Sequence, residues 1–178
     1  MEVGWDATPH TFSNRALILY AFNGAELLIP DTVQAAVGAD ESTLPVHLQG
    51  ARPLELDIRR EQVTTSLDYR PSSRTRISMR YRLENREGIL PLGITRFFED
   101  MITLPAPIDY RTQNIEVRAE FADETYQLQV GYDLSVFDNQ HNSLTWDNVF
   151  SDQDAVGDSS RGRLSLYPDN LGQSVSLN

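Results

Sequence analysis

PIDYRTQNIEVRAEFADETYQLQVGYDLSVFDNQHNSLTWDNVF, residues Pro107 to Phe150, holds two long alternating runs joined by a short polar turn. In the first, Ile115, Val117, Ala119 and Phe121 fall on one face of a strand, with Glu116, Arg118 and Glu120 on the other, because strand side chains alternate with period two. The second run sets Tyr126, Leu128, Val130, Tyr132, Leu134 and Val136 against Gln127, Gln129, Asp133 and Ser135. The linker Ala122–Thr125 is too short for a parallel crossover, so the pattern predicts an antiparallel hairpin. Both runs exceed the roughly five or six residues of an ordinary strand and reach the roughly 9–11 that an oblique bilayer crossing needs. Two architectures fit this pattern: the wall of a transmembrane barrel, and a large soluble antiparallel sheet with one wet face.

The rest of the chain extends the theme. Met1 to Thr8 reads as a strand ended by Pro9 and His10, and about 11–50 as a long loop with a short helix near Asp31–Val37, Asp31 capping its first turn. Ala16–Phe22 is an alternative buried strand inside that loop. A hairpin follows at about 54–85. Leu54, Leu56 and Ile58 share one phase and Val63, Thr65, Leu67 and Tyr69 the other, which predicts a bulge between Arg59 and Gln62. Pro71-Ser72-Ser73 makes the turn, and the return strand sets Ile77, Met79, Tyr81 and Leu83 against Arg76, Ser78, Arg80, Arg82 and Glu84. Residues 87–106 read as a loop with one helical turn around Phe97–Met101. A hairpin at about 108–138, a loop at 139–162 that is mobile from Ser151, and strands over 163–178 complete the reading. No fixed repeat length points to a solenoid or propeller.

The formal net charge of −11 argues against nucleic acid, whose phosphates need clustered cations. All fifteen basic residues are arginine and there is no cysteine, which removes Schiff-base, thiolate, disulfide and covalent haem-attachment chemistry. There is no run of eighteen apolar residues and no signal peptide at Met1, while Gln173–Asn178 resembles the first half of another strand. The expectation is an internal piece of a larger barrel.

Catalytic and metal readings find little. His10, His47 and His141 stand far apart, outside any ligand spacing, and Asp138–Asn142 with Asp147, Asn148, Asp152 and Asp154 offers calcium-type oxygens without the EF-hand order. Glu116 and Glu120 lie about 13 Å apart by strand rise, too far for a glycosidase pair. Tyr69, Tyr81, Tyr110, Tyr126, Tyr132 and Trp146 suit interfacial girdles or ordinary sheet packing equally.

Short pieces in order carry a resemblance across nearly the whole chain. Trp5-Asp6 with Pro9-His10, Pro91-Leu92-Gly93, Pro107-Ile108-Asp109-Tyr110-Arg111-Thr112, Asn142-Ser143-Leu144-Thr145-Trp146-Asp147-Asn148 and Pro168-Asp169-Asn170 resemble the MtrB/PioB family of decahaem-associated outer-membrane β-barrel proteins. The resemblance implies an all-β fold of antiparallel up-and-down hairpins, a partial transmembrane β-barrel with long loops, in the bacterial outer membrane. It implies a non-catalytic sheath around a periplasmic multihaem c-type cytochrome, with lipid outside and an outer-surface multihaem cytochrome as a further partner. This chain would bind no cofactor itself, the haem belonging to the cytochrome. Arg76, Ser78, Arg80, Arg82, Glu116, Arg118, Glu120, Gln127 and Gln129 become candidates for a partner-facing lumen, though they can equally pair with one another. Pro107, Asp109, Tyr110, Leu144, Trp146, Asp147, Asn148, Pro168, Asp169 and Asn170 are expected as a family-motif loop. The alternative is a soluble periplasmic or extracellular β-sandwich that binds carbohydrate or protein; its apolar faces would be buried in one shared core.

Overall fold

The computed structural model describes residues 1–96, 100–151 and 161–178. Among them the chain forms strands β1 (Glu2–Ile18), β2 (Ala21–Asn23), β3 (Glu26–Leu28), β4 (Arg52–Ser72), β5 (Thr75–Arg96), β6 (Asp100–Ala122), β7 (Gln127–Asn139), β8 (Ser143–Asp147), β9 (Arg161–Ser165) and β10 (Asn170–Leu177). Two helices, α1 (Asp31–Ala39) and α2 (Leu44–Leu48), flank a 3-10 turn at Glu41–Thr43. The order β1-β4-β5-β6-β7-β10 makes one antiparallel sheet, and β2-β3-β8-β9 a smaller one in which β3 and β8 run parallel.

Register aligns the alternating residues across the large sheet. Leu67, Met79, Val117, Tyr132 and Val175 stand in one row, and Tyr69, Ile77, Ala119, Val130 and Leu177 in the next. Among the described residues no second sheet covers this face: Ile77 is 39% exposed, Met79 42%, Leu128 45% and Val130 42%. Val117 and Phe121 are half-buried. A sandwich would have buried these residues in a shared core; here they form one open apolar band. Asp123 bounds the band at the end with the tight turns, and the row Glu61–Asn85–Arg111–Asp138 bounds it at the other. Between Arg111 and Asp123 the chain rises about 41 Å, or roughly 31 Å of height at a tilt near 40°. That matches the roughly 30 Å of a bilayer's hydrocarbon core.

Strands β4, β5 and β6, of 21, 22 and 23 residues, run well beyond that border. The phase change on β4 is explained there. Pairing is unbroken through Arg59–Gln62 on both sides, so there is no bulge at that point. The strand keeps its facing while the surroundings of that face change: Leu56 is buried and lines a cavity with Ile29 and with Leu44 and Leu48 of α2, whereas Arg60, in the same phase, pairs with Glu84. On β6, Leu104, Ala106 and Ile108 are buried in the phase that carries Asn114 and Glu116 further along. The irregularities fall instead on β1, between Thr11 and Ser13 and between Ser13 and Ala16, and on β4 next to the turn, between Tyr69 and Ser72.

Several expected boundaries move. β1 does not stop at Pro9 and His10 but continues to Ile18, its ladder with β4 running on through Pro9 opposite Arg59 and His10 opposite Ile58. The 11–50 region therefore holds the end of β1, β2, β3 and the helices rather than a loop. Pro30, not Asp31, precedes the first helical residue of α1, and no side chain caps it. The β4–β5 turn is Ser73-Arg74, one residue later than Pro71–Ser73 suggested. The 87–106 segment stays paired as a long hairpin up to Arg96 and Asp100, and Met101 is strand; Phe97, Phe98 and Glu99 of the expected helical turn lie outside the described residues. Within 139–162, β8 forms where a loop was expected, and residues 152–160 of the expected mobile stretch lie outside the described residues. The 163–178 strands split between the two sheets.

The smaller sheet packs on the large one through Leu27, Leu104, Ala106 and Leu144, flanked by Tyr20, Leu92, Trp146 and Leu166. β4 and β5 part at Ile58 and Gly88, beyond which β4 pairs only with β1 and β5 only with β6. Gly88 takes φ 148°, and a Cβ there would strike the Asp57 carbonyl and lie 2.9 Å from the Ile58 Cα, so the two strands meet closely just where they separate. An apolar cavity of about 430 Å³ lies among Ile18, Ile29, Leu54, Leu56 and Leu104.

Candidate functional site: the charged face of the sheet

Because side chains alternate, the polar residues of β5, β6 and β7 within the band share one face, apart from Thr75 and Gln113, which stand in the apolar phase. Register sets Arg76 opposite Glu120 and Glu120 opposite Gln129; Ser78 opposite Arg118; Arg80 opposite Glu116; and Arg82 opposite Asn114. Gln127, opposite Ala122, has the same phase at the turn end. The nine residues singled out for a lumen thus lie on one surface, back to back with the apolar band.

Most charges on that surface are answered within the sheet. Arg60 Nη2 and Arg86 Nε each lie 2.6 Å from Glu84, Arg76 Nη2 lies 2.7 Å from Asp68, Arg118 Nη2 lies 2.6 Å from Asp133, and Arg80 approaches Glu116 at 3.8 Å. Exposed pairs of this kind contribute only about 0–1 kcal/mol each, so they fix where the guanidinium groups stand more than they hold the sheet together. Arg118 lies across Gly131, also donating to the Tyr132 carbonyl at 3.2 Å. A Cβ at Gly131 would collide with Ser176 Oγ and sit 3.0 Å from Arg118 Cδ, so glycine is what lets the guanidinium reach Asp133. Arg60, Asp68, Arg86 and Asp133 were not singled out from sequence; continuing the even-residue phase of β4 and β5 past the return strand would have found the first three.

These observations describe a sheet with lipid-facing and water-facing sides. The whole chain, residues 1–178, matches the family model described as outer membrane beta-barrel porin, MtrB/PioB. The chain belongs to the MtrB/PioB family. It is also similar to the outer membrane protein MtrB of Shewanella baltica (strain OS185), 30% identical over 166 residues, which is 93% of this chain and 23% of the relative. It therefore spans about a quarter of that relative's length. Like its family, it is an outer-membrane protein. Its six-stranded sheet does not close into a barrel on its own, leaving β1 and β10 as open edges.

The residues that carry the MtrB/PioB likeness are not a loop. Pro107, Asp109 and Tyr110 lie in β6, and Leu144, Trp146 and Asp147 in β8, while Asn148 follows β8, Pro168 and Asp169 lead into β10 and Asn170 opens it. They tie the smaller sheet and the connections to the wall. Asp147, buried, accepts from the Ile29 amide at 2.8 Å and from Arg161 Nε at 2.9 Å, and its carbonyl accepts from the Tyr20 hydroxyl. Burial pushes the Tyr20 hydroxyl well above its usual range, and the Asp147 charge adds to the shift. Gln34 Nε2 donates to the Asn148 carbonyl, and Asp169 accepts from the Asn139 amide at 2.8 Å. Tyr110 does not join a girdle: it turns to the charged-face phase and packs on Phe137 and Tyr167. Trp146 packs against the core of the smaller sheet. Tyr69, Tyr81 and Tyr132 keep the apolar phase, and Tyr126 stacks on Phe121 at the turn end.

Proposed function

We propose that this chain forms part of the wall of an outer-membrane barrel that sheathes a periplasmic multihaem c-type cytochrome in a transmembrane electron-transfer conduit. The observation that carries the reading is the pairing of an exposed apolar band with a mixed-charge face across the same six strands. A sheath needs those two faces and a backbone whose hydrogen bonds are satisfied within the wall. Further strands of the same barrel would close the edges of β1 and β10. The role is non-catalytic and this chain binds no cofactor; the haem chemistry belongs to the enclosed cytochrome. An outer-surface multihaem cytochrome would exchange electrons at the far end.

The test is to extract the full barrel from membranes in mild detergent and quantify haem per barrel. The expected result is covalently bound haem co-eluting with the folded barrel and disappearing in cells that lack the periplasmic cytochrome. A folded barrel that elutes without haem from cells rich in that cytochrome overturns the reading.

A further inference from the structure

One row of the charged face differs from its neighbours. Gly4, Thr64, Arg82, Asn114, Ser135 and Gly172 stand in register across all six strands. Glycine ends the row on both sides and the groups between are short and neutral, apart from the arginine. The adjoining rows carry Arg80, Glu116 and Asp133 on one side and Asp6 and Glu84 on the other. The row is therefore a trough running across the strands, with a cavity of about 330 Å³ along its Arg82-to-Gly172 half. A Cβ added at Gly4 or Gly172 would meet nothing within 4 Å, so no other described part of the chain fills the ends of the trough.

Arg82 rises from this trough, exposed. Among the described residues it has no carboxylate within ion-pair distance, whereas Arg60, Arg76, Arg80, Arg86 and Arg118 on the same face each have one. Its register neighbours Thr64 and Asn114 offer dipoles and no charge. A guanidinium takes a carboxylate through two parallel N–H···O bonds, and a trough of short polar side chains gives that carboxylate room to approach. We propose that Arg82 is the seat for a surface carboxylate of the protein that the barrel encloses, with the Gly4–Gly172 trough admitting the segment that bears it. This rests on the sheath reading above. It separates the arginines that shape the wall from one left to grip.

The experiment uses the full barrel with its haem-bearing partner, following haem retained per barrel as sodium chloride is raised. In Arg82→Gln the partner should be held about tenfold more weakly at low salt, the scale of one lost charge-assisted bond, and retention should depend less on salt because one screened contact is gone. Arg80→Gln, which removes a group already answered by Glu116, should stay within about twofold of wild type. Arg82→Lys keeps the charge without the fork and should fall between the two; if Arg82→Gln inserts poorly, full retention by Arg82→Lys overturns the bidentate seat. Equal losses in Arg80→Gln and Arg82→Gln would overturn the special place of Arg82. A loss of barrel stability in Arg82→Gln with haem retention intact would mean the carboxylate comes from the barrel itself, and also overturns the proposal. Wild-type barrel without haem would sink the sheath reading, a failure distinct from all of these.

Discussion

Replacing Asp147 with alanine should loosen the joins of β3 and β9 to β8 within the smaller sheet while leaving the barrel standing. The carboxylate is 2% exposed and accepts two hydrogen bonds, from the buried Ile29 amide and from Arg161, whose side chain is 21% exposed. Removing one member of a buried ion pair costs about 3–5 kcal/mol; partial access of water to Arg161 favours the lower end, and the orphaned Ile29 amide overlaps with that figure. A loss of about 3 kcal/mol in the local opening free energy corresponds to roughly a hundredfold faster amide exchange. Hydrogen exchange should therefore show protection at Leu27 and Ile29 collapsing by about two orders of magnitude, with Val117 and Tyr132 unchanged and the folded barrel still migrating as such in unheated gels. Asp147→Asn retains an acceptor for the Ile29 amide but no charge for Arg161, so its loss should be about half as large in free energy. Unaltered exchange at Ile29 in Asp147→Ala would refute the assignment of Asp147 as the pin.

Three further outcomes follow from the faces and ends of the sheet. Val130→Arg, in the middle of the apolar band, should destabilise the barrel by about 2–4 kcal/mol in urea unfolding from vesicles, and Asn85→Arg, at the polar border, by about 0–1 kcal/mol; equal effects would contradict the band. Short turns face the periplasm in such barrels, so protease added to intact cells should spare Ser73-Arg74 and Glu124-Thr125 and cut on the side of the smaller sheet, and the reverse pattern would invert the orientation. In Gly162→Ala the new methyl would run into the Trp146 indole. In a barrel whose other tryptophans, Trp5 included, are replaced by phenylalanine, that indole's emission should shift to the red, while an unchanged spectrum would show that the strand pair β8–β9 is not packed this closely.

The large sheet was legible in the sequence because its only rule is alternation: Ile115 to Phe121 and Leu128 to Val136 needed one buried and one wet environment, and period two reports that directly. The charged candidates were legible for the same reason. What escaped were positions where a single face meets two environments. Leu104 and Ala106 are apolar on the charged-face phase because Leu27 and Leu144 of the smaller sheet cover them, and Leu54 and Leu56 because they line the cavity with Ile29, Leu44, Leu48 and Phe150; a local pattern cannot show a cover supplied by other elements. A bulge was the available local explanation, and it was wrong. Pro9 misled in a similar way, since a breaker residue read locally does not show that the ladder with β4 runs on across it. Asp147 looked like one polar loop residue among several; its burial and its two donors depend on β3 and β9 arriving beside β8.

The parting of β4 from β5 at Gly88 sets a limit on immersion that owes nothing to side-chain hydropathy. Beyond Ile58 and Gly88 the two strands no longer satisfy each other's amides and carbonyls, and such groups are tolerated where water or protein can reach them but not against acyl chains. The membrane surface must therefore lie on the turn side of that point. The polar row through Asn85 and Arg111 stands three residues short of it, about 10 Å along the strand. The side-chain border thus falls within the bound that backbone solvation sets, about 10 Å on the turn side of it, and everything past that bound, including the smaller sheet and the apolar cavity, stands clear of the lipid.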